Sequence, residues 1–183
     1  MMSKLASHLS ASLQDKARGV RLFFLDVDGV MTDGALYFTA EGEALKKFNS
    51  LDGHGIKLLM RFGIVPVVIT GRDSQALRRR VSELSIEHAH YGVDNKLSLA
   101  EKCLQDFGWD WSRAAAMGDD WPDLPVLLRS AIALAPPRAH PEVLSRVDHV
   151  CTAAAGHGAV REACDLLLTA NGHYKAALDE VLS

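Results

Sequence analysis

The sequence predicts a Rossmann-like α/β domain, a mainly parallel sheet with helices on both faces. Two observations carry this. Short apolar runs alternate with amphipathic helical stretches along nearly the whole chain, and strands joined by helical crossovers pair in parallel. A third bounds the answer. With 183 residues, 48% of them hydrophobic and 23% charged, the chain can bury one sizeable core. No repeat or Pro/Gly/Ser linker divides it, so residues 1–183 read as a single domain.

The elements follow in order. Within residues 1–18, Leu5, Leu9 and Leu13 recur every fourth position, as in a short amphipathic helix. RLFFLDV (21–27) is too brief for a helix and ends at Asp-Gly, which predicts a buried strand. ALYFT and ALKKF flank the polar turn AEGE at 40–43, a β-hairpin flap. Residues 53–62 place Ile56, Leu59 and Met60 on one helical face, and IVPVVIT (64–70) is a second buried strand despite its proline. A helix from 73 to 84 is capped by Asp73. A weak strand at 87–91 and a helix from 95 to 107 come next, then the Ala-rich strand RAAAMGD (113–119). Helix 123–130, strand 131–134, a helix near 141–146, strand 148–151 and helix 158–170 complete the series, with 171–183 as a C-terminal tail.

Ligands of such sheets bind at the carboxyl ends of the strands, and four motifs fall there. Asp26-Val27-Asp28-Gly29 offers two carboxylates across a turn, donors of the kind that hold Mg²⁺ beside a phosphate. Asp26 suits a nucleophile, and Asp28 suits a group that protonates a leaving oxygen and then activates water. Thr70-Gly71-Arg72 follows the second buried strand with a hydroxyl and free backbone N–H groups for phosphoryl oxygens. Lys96 opens a helix and would offset charge on nucleophile and phosphoryl group alike. Gly118-Asp119-Asp120-Trp121-Pro122-Asp123 crowds three carboxylates that repel one another unless a cation or hydrogen bonds hold them. Asp119 is the candidate metal ligand, with Asp120 and Asp123 supporting it.

In this order the motifs resemble the haloacid dehalogenase-like phosphohydrolase superfamily. The resemblance implies catalytic roles for Asp26, Asp28, Thr70 and Lys96. It implies Mg²⁺ held by the Asp26 and Asp119 carboxylates and the Asp28 backbone carbonyl. Members often carry a cap domain, but the 41 residues between Asp28 and Thr70 and the 25 between Thr70 and Lys96 leave no room for one. A neighbouring subunit is then expected to cover the site.

LDVDGVMTDGALYF (25–38), FNSLDGHGIKLL (48–59), VITGRDS (68–74) and GAVREACDLLL (158–168) resemble more closely the capless 3-deoxy-D-manno-octulosonate 8-phosphate phosphatases of lipopolysaccharide sugar synthesis. That family is described as homotetramers closed by hairpins and tails of adjacent chains. The resemblance implies substrate contacts at Asp28, Asn49, Ser50, Leu51, Asp52, Gly53, Lys57, Arg72, Arg80 and Lys96, and it directs Arg161 toward a neighbour's site. Leu51 and Lys57 each stand where Arg is frequent, which opens the choice of sugar acid, a sialic-acid-type 9-phosphate included. Another class, a receiver-like signalling domain, shares Asp, Thr and Lys around Mg²⁺ but lacks the acid/base group that Asp28 supplies. A non-catalytic scaffold is a third reading.

A net charge of −3 gives no footprint for nucleic acid or membrane surface, and no apolar run reaches the ~20 residues of a membrane span. Cys103, Cys151 and Cys164 lack zinc spacing and read as reduced thiols of a cytoplasmic protein.

Overall fold

The computed structural model describes residues 10–182. In chain order the elements are α1 (Ala11–Ala17), β1 (Leu22–Leu25), β2 (Tyr37–Thr39), β3 (Gly42–Leu45), α2 (Ser50–Arg61) and β4 (Val65–Ile69). They continue with α3 (Gln75–Leu84), β5 (His88–His90), α4 (Lys96–Phe107), β6 (Ala114–Met117) and α5 (Leu124–Leu127). The last are β7 (Ile132–Ala135), α6 (Pro141–Leu144), β8 (His149–Val150), α7 (Ala159–Ala170) and α8 (Tyr174–Leu182). Leu13 lies on α1, whereas Leu5 and Leu9 of the expected N-terminal helix lie outside the described residues.

Six strands form one sheet in the order β5-β4-β1-β6-β7-β8, with every pairing parallel. Because side chains alternate across a strand, β1 sends Phe23 and Leu25 to one core and Leu22 and Phe24 to the other. The first core packs beneath α2, α3 and α7, the second beneath α4, α5 and α6. Ala114, Ala115 and Ala116 of β6 are all buried, which lets helices approach the sheet closely. Pro66 is tolerated in β4 because β5 pairs only with Val67, Val68 and Ile69, so no ladder bond is demanded of it on that side.

The hairpin β2–β3 stands apart as an antiparallel pair. Its turn is shorter than the AEGE of the sequence reading, since β3 already begins at Gly42. Helix α2 starts earlier than position 53, because the Asn49 side chain accepts the Leu51 N–H at 2.8 Å and caps it there. Ser74, not Asp73, caps α3. Its hydroxyl accepts the Leu77 N–H at 3.3 Å, while Asp73 takes both arms of Arg78 at 2.7 and 2.8 Å. The expected helix 123–130 is a 3-10 turn (Trp121–Asp123) running into the single turn of α5. The expected tail carries α8, packed through buried Ala177 and an Arg61–Glu180 ion pair of 2.5 Å. Among the described residues no helix is long and apolar enough to cross a membrane. All three cysteines are buried and unbridged.

Candidate active site

Asp26 leaves the end of β1 with its N–H held by the Met117 carbonyl at 3.1 Å, so the central strand and its neighbour β6 fix the residue together. Lys96 occupies the first turn of α4, where the helix dipole disfavours a cation. Its neighbours explain why it is there. The ammonium lies 2.6 Å from Asp26 Oδ1 and 2.7 Å from Asp123 Oδ1, with its side chain only 8% exposed. A lysine this buried requires such partners. Asp123 spends its other oxygen on the backbone, accepting the Asp119 N–H at 3.0 Å and the Asp120 N–H at 3.3 Å. It thus braces the loop that presents Asp119.

Two glycines make that loop possible. A Cβ on Gly29, whose φ is +87°, would lie 2.1 Å from Asp119 Oδ2. A Cβ on Gly118 would lie 2.3 Å from that of Asp123. Asp119 is also held through its carbonyl, which accepts the His140 N–H at 2.7 Å.

Carboxylate oxygens of Asp26, Asp119 and Asp123 gather within 4.8 Å of one another. Burial, then the charge of Asp123, raises the Asp26 carboxyl from 3.8 to about 6 against the pull of Lys96. Burial, followed by Asp26, Asp123 and Asp120, raises Asp119 from 3.8 to about 8. One ammonium therefore does not balance the group. With Asp123 engaged by Lys96 and two N–H groups, Asp26 and Asp119 remain as hard oxygen donors, the set that suits Mg²⁺.

Asp28 has a different set of partners. Its Oδ1 pairs with Lys46, and its Oδ2 has Arg72 Nε 3.7 Å away, beyond hydrogen-bond distance. Arg72 Nη2 reaches Glu43 at 3.3 Å, and Lys46 reaches Glu43 at 2.8 Å. Thr70 is buried at the end of β4, where its hydroxyl oxygen accepts the Arg72 N–H at 3.2 Å.

The remaining expected contacts form a second group. Asn49 accepts Arg80 Nη2 on its carbonyl at 3.1 Å, and the guanidinium lies close over Gly53, where a Cβ would meet it at 2.3 Å. Ser50 and Arg80 line a groove of about 400 Å³ with Lys46, Phe48, Ala76, Arg79 and Glu83. Through Lys46 this groove adjoins Asp28. Leu51 is 57% exposed beside it. The Asp52 carboxylate instead faces inward and accepts the Arg161 N–H at 2.8 Å, which docks α7 on α2. Lys57 is exposed on α2, and among the described residues it makes no ion pair with the strand-end carboxylates. Arg161 is bound within its own chain to Asp165 at 2.8 Å.

Lys46 and Glu43 were missed by sequence reasoning. Both sit in the hairpin, where Lys and Glu ordinarily face water, and only tertiary structure turns them inward. A further cluster, His149, Cys151 and Glu162, also comes within ligand spacing. Its carboxylate is already filled by His149, the Thr152 N–H and hydroxyl, and the Ala153 N–H, so it ties β8 to α7.

No family model matches the chain. It is 41% identical over 164 residues to the 3-deoxy-D-manno-octulosonate 8-phosphate phosphatase of Escherichia coli K12, spanning 90% of this chain and 87% of that one. The Moraxella catarrhalis enzyme of the same name, crystallised with magnesium ion, phosphate ion and KDO, has a TM-score of 0.91 at 34% identity, over 94% of this chain and 99% of that one. The cobalt-bound Haemophilus influenzae phosphatase gives 0.85 at 38% identity, over 88% and 94%. Parallel sheet, strand-end carboxylates and buried lysine together define a haloacid dehalogenase-like phosphohydrolase. Within that class, the chain belongs to the 3-deoxy-D-manno-octulosonate 8-phosphate phosphatase family.

Proposed function

We propose that this chain hydrolyses 3-deoxy-D-manno-octulosonate 8-phosphate to the free sugar acid and inorganic phosphate, in lipopolysaccharide sugar synthesis. The observation that supports it most is Lys96 bridging Asp26 and Asp123 at a strand end, in a chain of this family. An Asp26 oxygen attacks phosphorus and forms the aspartyl-phosphate. Lys96 neutralises nucleophile and phosphoryl oxygens together, which suits a loose transition state needing position and charge balance more than covalent help. Thr70 uses its oxygen lone pair on the Arg72 N–H, leaving its hydroxyl proton to donate to a phosphoryl oxygen. Asp28 protonates the departing sugar oxygen, then takes a proton from the attacking water. Asp26 and Asp119, with the Asp28 carbonyl, would hold Mg²⁺, which supplies Lewis-acid charge at the phosphoryl group. Asp120 and Asp123 support that set. The groove beside Lys46 takes the sugar acid, with Arg72, Arg80, residues 49–53 and, further along α2, Lys57 as its contacts.

We read residues 1–183 as one capless domain in the cytoplasm. Leu36, Tyr37, Phe38 and Leu45 of the hairpin region are exposed, which supports a homotetramer closing each site with a neighbour's hairpin. The deciding assay is phosphate release from 3-deoxy-D-manno-octulosonate 8-phosphate beside a sialic-acid-type 9-phosphate and simple sugar phosphates, with Mg²⁺ and with EDTA. Preference for the first, abolished by EDTA and restored by Mg²⁺, is expected. Preference for another sugar acid would overturn the substrate and point to Leu51 and Lys57. Labelling without turnover would sink the phosphatase.

A further inference from the structure

We propose that Lys46, at the exit of the β2–β3 hairpin, is a positioning residue that fixes the Asp28 carboxylate for both proton transfers. The proposal deepens the reading above and rests on Asp28 being the acid/base group.

A hairpin lysine ordinarily extends its stem along the surface and keeps its ammonium in water. Here the side chain is 1% exposed. Burying an ammonium is costly unless it is paired and hydrogen-bonded, so an inward lysine marks a site that uses it. Lys46 contacts Asp28 Oδ1 and lies 2.8 Å from Glu43 Oε1. Arg72 closes the ring, 3.3 Å from Glu43 Oε2 and 3.7 Å from Asp28 Oδ2. Two anions and two cations alternate, and the formal charge cancels. Glu43 makes no contact with Asp26, Lys96 or Asp119 among those described; it anchors the two cations that flank Asp28.

The two oxygens of Asp28 are thereby made unequal. Oδ1 is held by Lys46, while Oδ2 is buried and has no hydrogen-bond partner. Arg72 Nε faces Oδ2 at 3.7 Å, too far for a hydrogen bond, so Oδ2 keeps its lone pairs free of a donor. The carboxyl torsion of aspartate is broad when nothing holds it. Pinning Oδ1 leaves Oδ2 as the oxygen that carries the proton. In the first half-reaction an Asp26 oxygen bonds to phosphorus, the ester P–O bond breaks, and the proton on Asp28 Oδ2 passes to the leaving oxygen. In the second, water bonds to phosphorus and returns a proton to Asp28 Oδ2. The P–O bond to Asp26 breaks as inorganic phosphate leaves.

The two halves can be separated with p-nitrophenyl phosphate, whose leaving group departs without a proton. The test compares wild type, Lys46→Met, Lys46→Arg and Glu43→Gln in Mg²⁺. Single-turnover nitrophenolate release reads the first half, and decay of acid-trapped aspartyl-phosphate reads the second. For Lys46→Met, release stays within about twofold of wild type while decay slows roughly 10- to 100-fold, part of the 10²–10⁴ that acid/base groups supply. Lys46→Arg restores part of the decay rate, and Glu43→Gln, with Lys46 present but unanchored, shows the same pattern more weakly. Equal loss in both halves, or no loss in either, overturns the positioning role. Acid-trapped aspartyl-phosphate formed at saturating p-nitrophenyl phosphate counts correctly folded sites, so misfolding is not mistaken for slow chemistry. A wild type that forms no aspartyl-phosphate and releases no phosphate would instead refute the proposed function.

Discussion

Asp26, Asp119 and Asp123 place more negative charge at the end of β1 than Lys96 offsets, so each residue there is constrained by its neighbours. Asp26→Asn removes the anion that attacks phosphorus in the proposed mechanism. Turnover should fall by more than about a thousandfold, while circular dichroism keeps the wild-type spectrum; substantial residual turnover would displace Asp26 as nucleophile. Gly29→Ala is a steric test. Its Cβ would meet Asp119 Oδ2 at 2.1 Å, on a backbone with φ of +87°. The variant should lose at least about tenfold in kcat and bind Mg²⁺ more weakly by calorimetry, because Asp119 must move; an unchanged Mg²⁺ isotherm would show that the loop yields. The placement of Asp26, Thr70, Lys96 and Asp119 was legible in the sequence because each follows a strand or opens a helix in a fixed order. Lys46 and Glu43 were not, because nothing local distinguishes a buried ion pair in a hairpin from a solvated one.

At the scale of elements, strand and helix alternation was readable throughout, and boundaries failed where tertiary packing sets them. Gly53 and Gly55 are poor helix formers, yet the helix runs through both and begins before them, at Ser50. Arg80 fills the space beside Gly53, and Arg161 and Cys164 approach where a Gly55 side chain would be. The cap at Ser74 in place of Asp73 has a similar cause, since Arg78 had claimed the carboxylate. The tie between β8 and α7 is testable by pH. Burial alone would raise Glu162, but donors from His149, Ala153 and Thr152 outweigh it and lower the carboxyl from 4.5 to about 2. The folded form then holds fewer protons than the unfolded one. Its contribution is complete above the unfolded value and is lost as pH falls from about 4.5 toward about 2. Allowing for partial exposure, this is about 2 kcal/mol near neutrality. Urea unfolding of Glu162→Gln should show that deficit at pH 7 and less than half of it near pH 3; a pH-independent deficit would assign the loss to packing.

At the scale of the molecule, the hairpin has one face turned to the site through Lys46 and another turned outward through Phe38, which is 61% exposed. On the proposed homotetramer, Phe38→Glu should shift light scattering toward smaller species and lower sugar phosphate turnover at the same Mg²⁺; an active monomer would separate closure from assembly. Sequence reading supplied the capless outline because the spacing between motifs is short, whereas the groove lined by Ser50 and Arg80 arises only when α2 and α3 meet. The sheet order also governs how the protein comes into being. Leu22 of β1 pairs with Val65 on one side and Ala114 on the other, and parallel neighbours cannot be joined by a tight turn. Such distant pairings are slow to form. Asp26, Thr70, Lys96 and Asp119 therefore meet only when the middle of the sheet has closed, and during refolding the return of catalysis would mark the end of the process, after helical signal has already recovered.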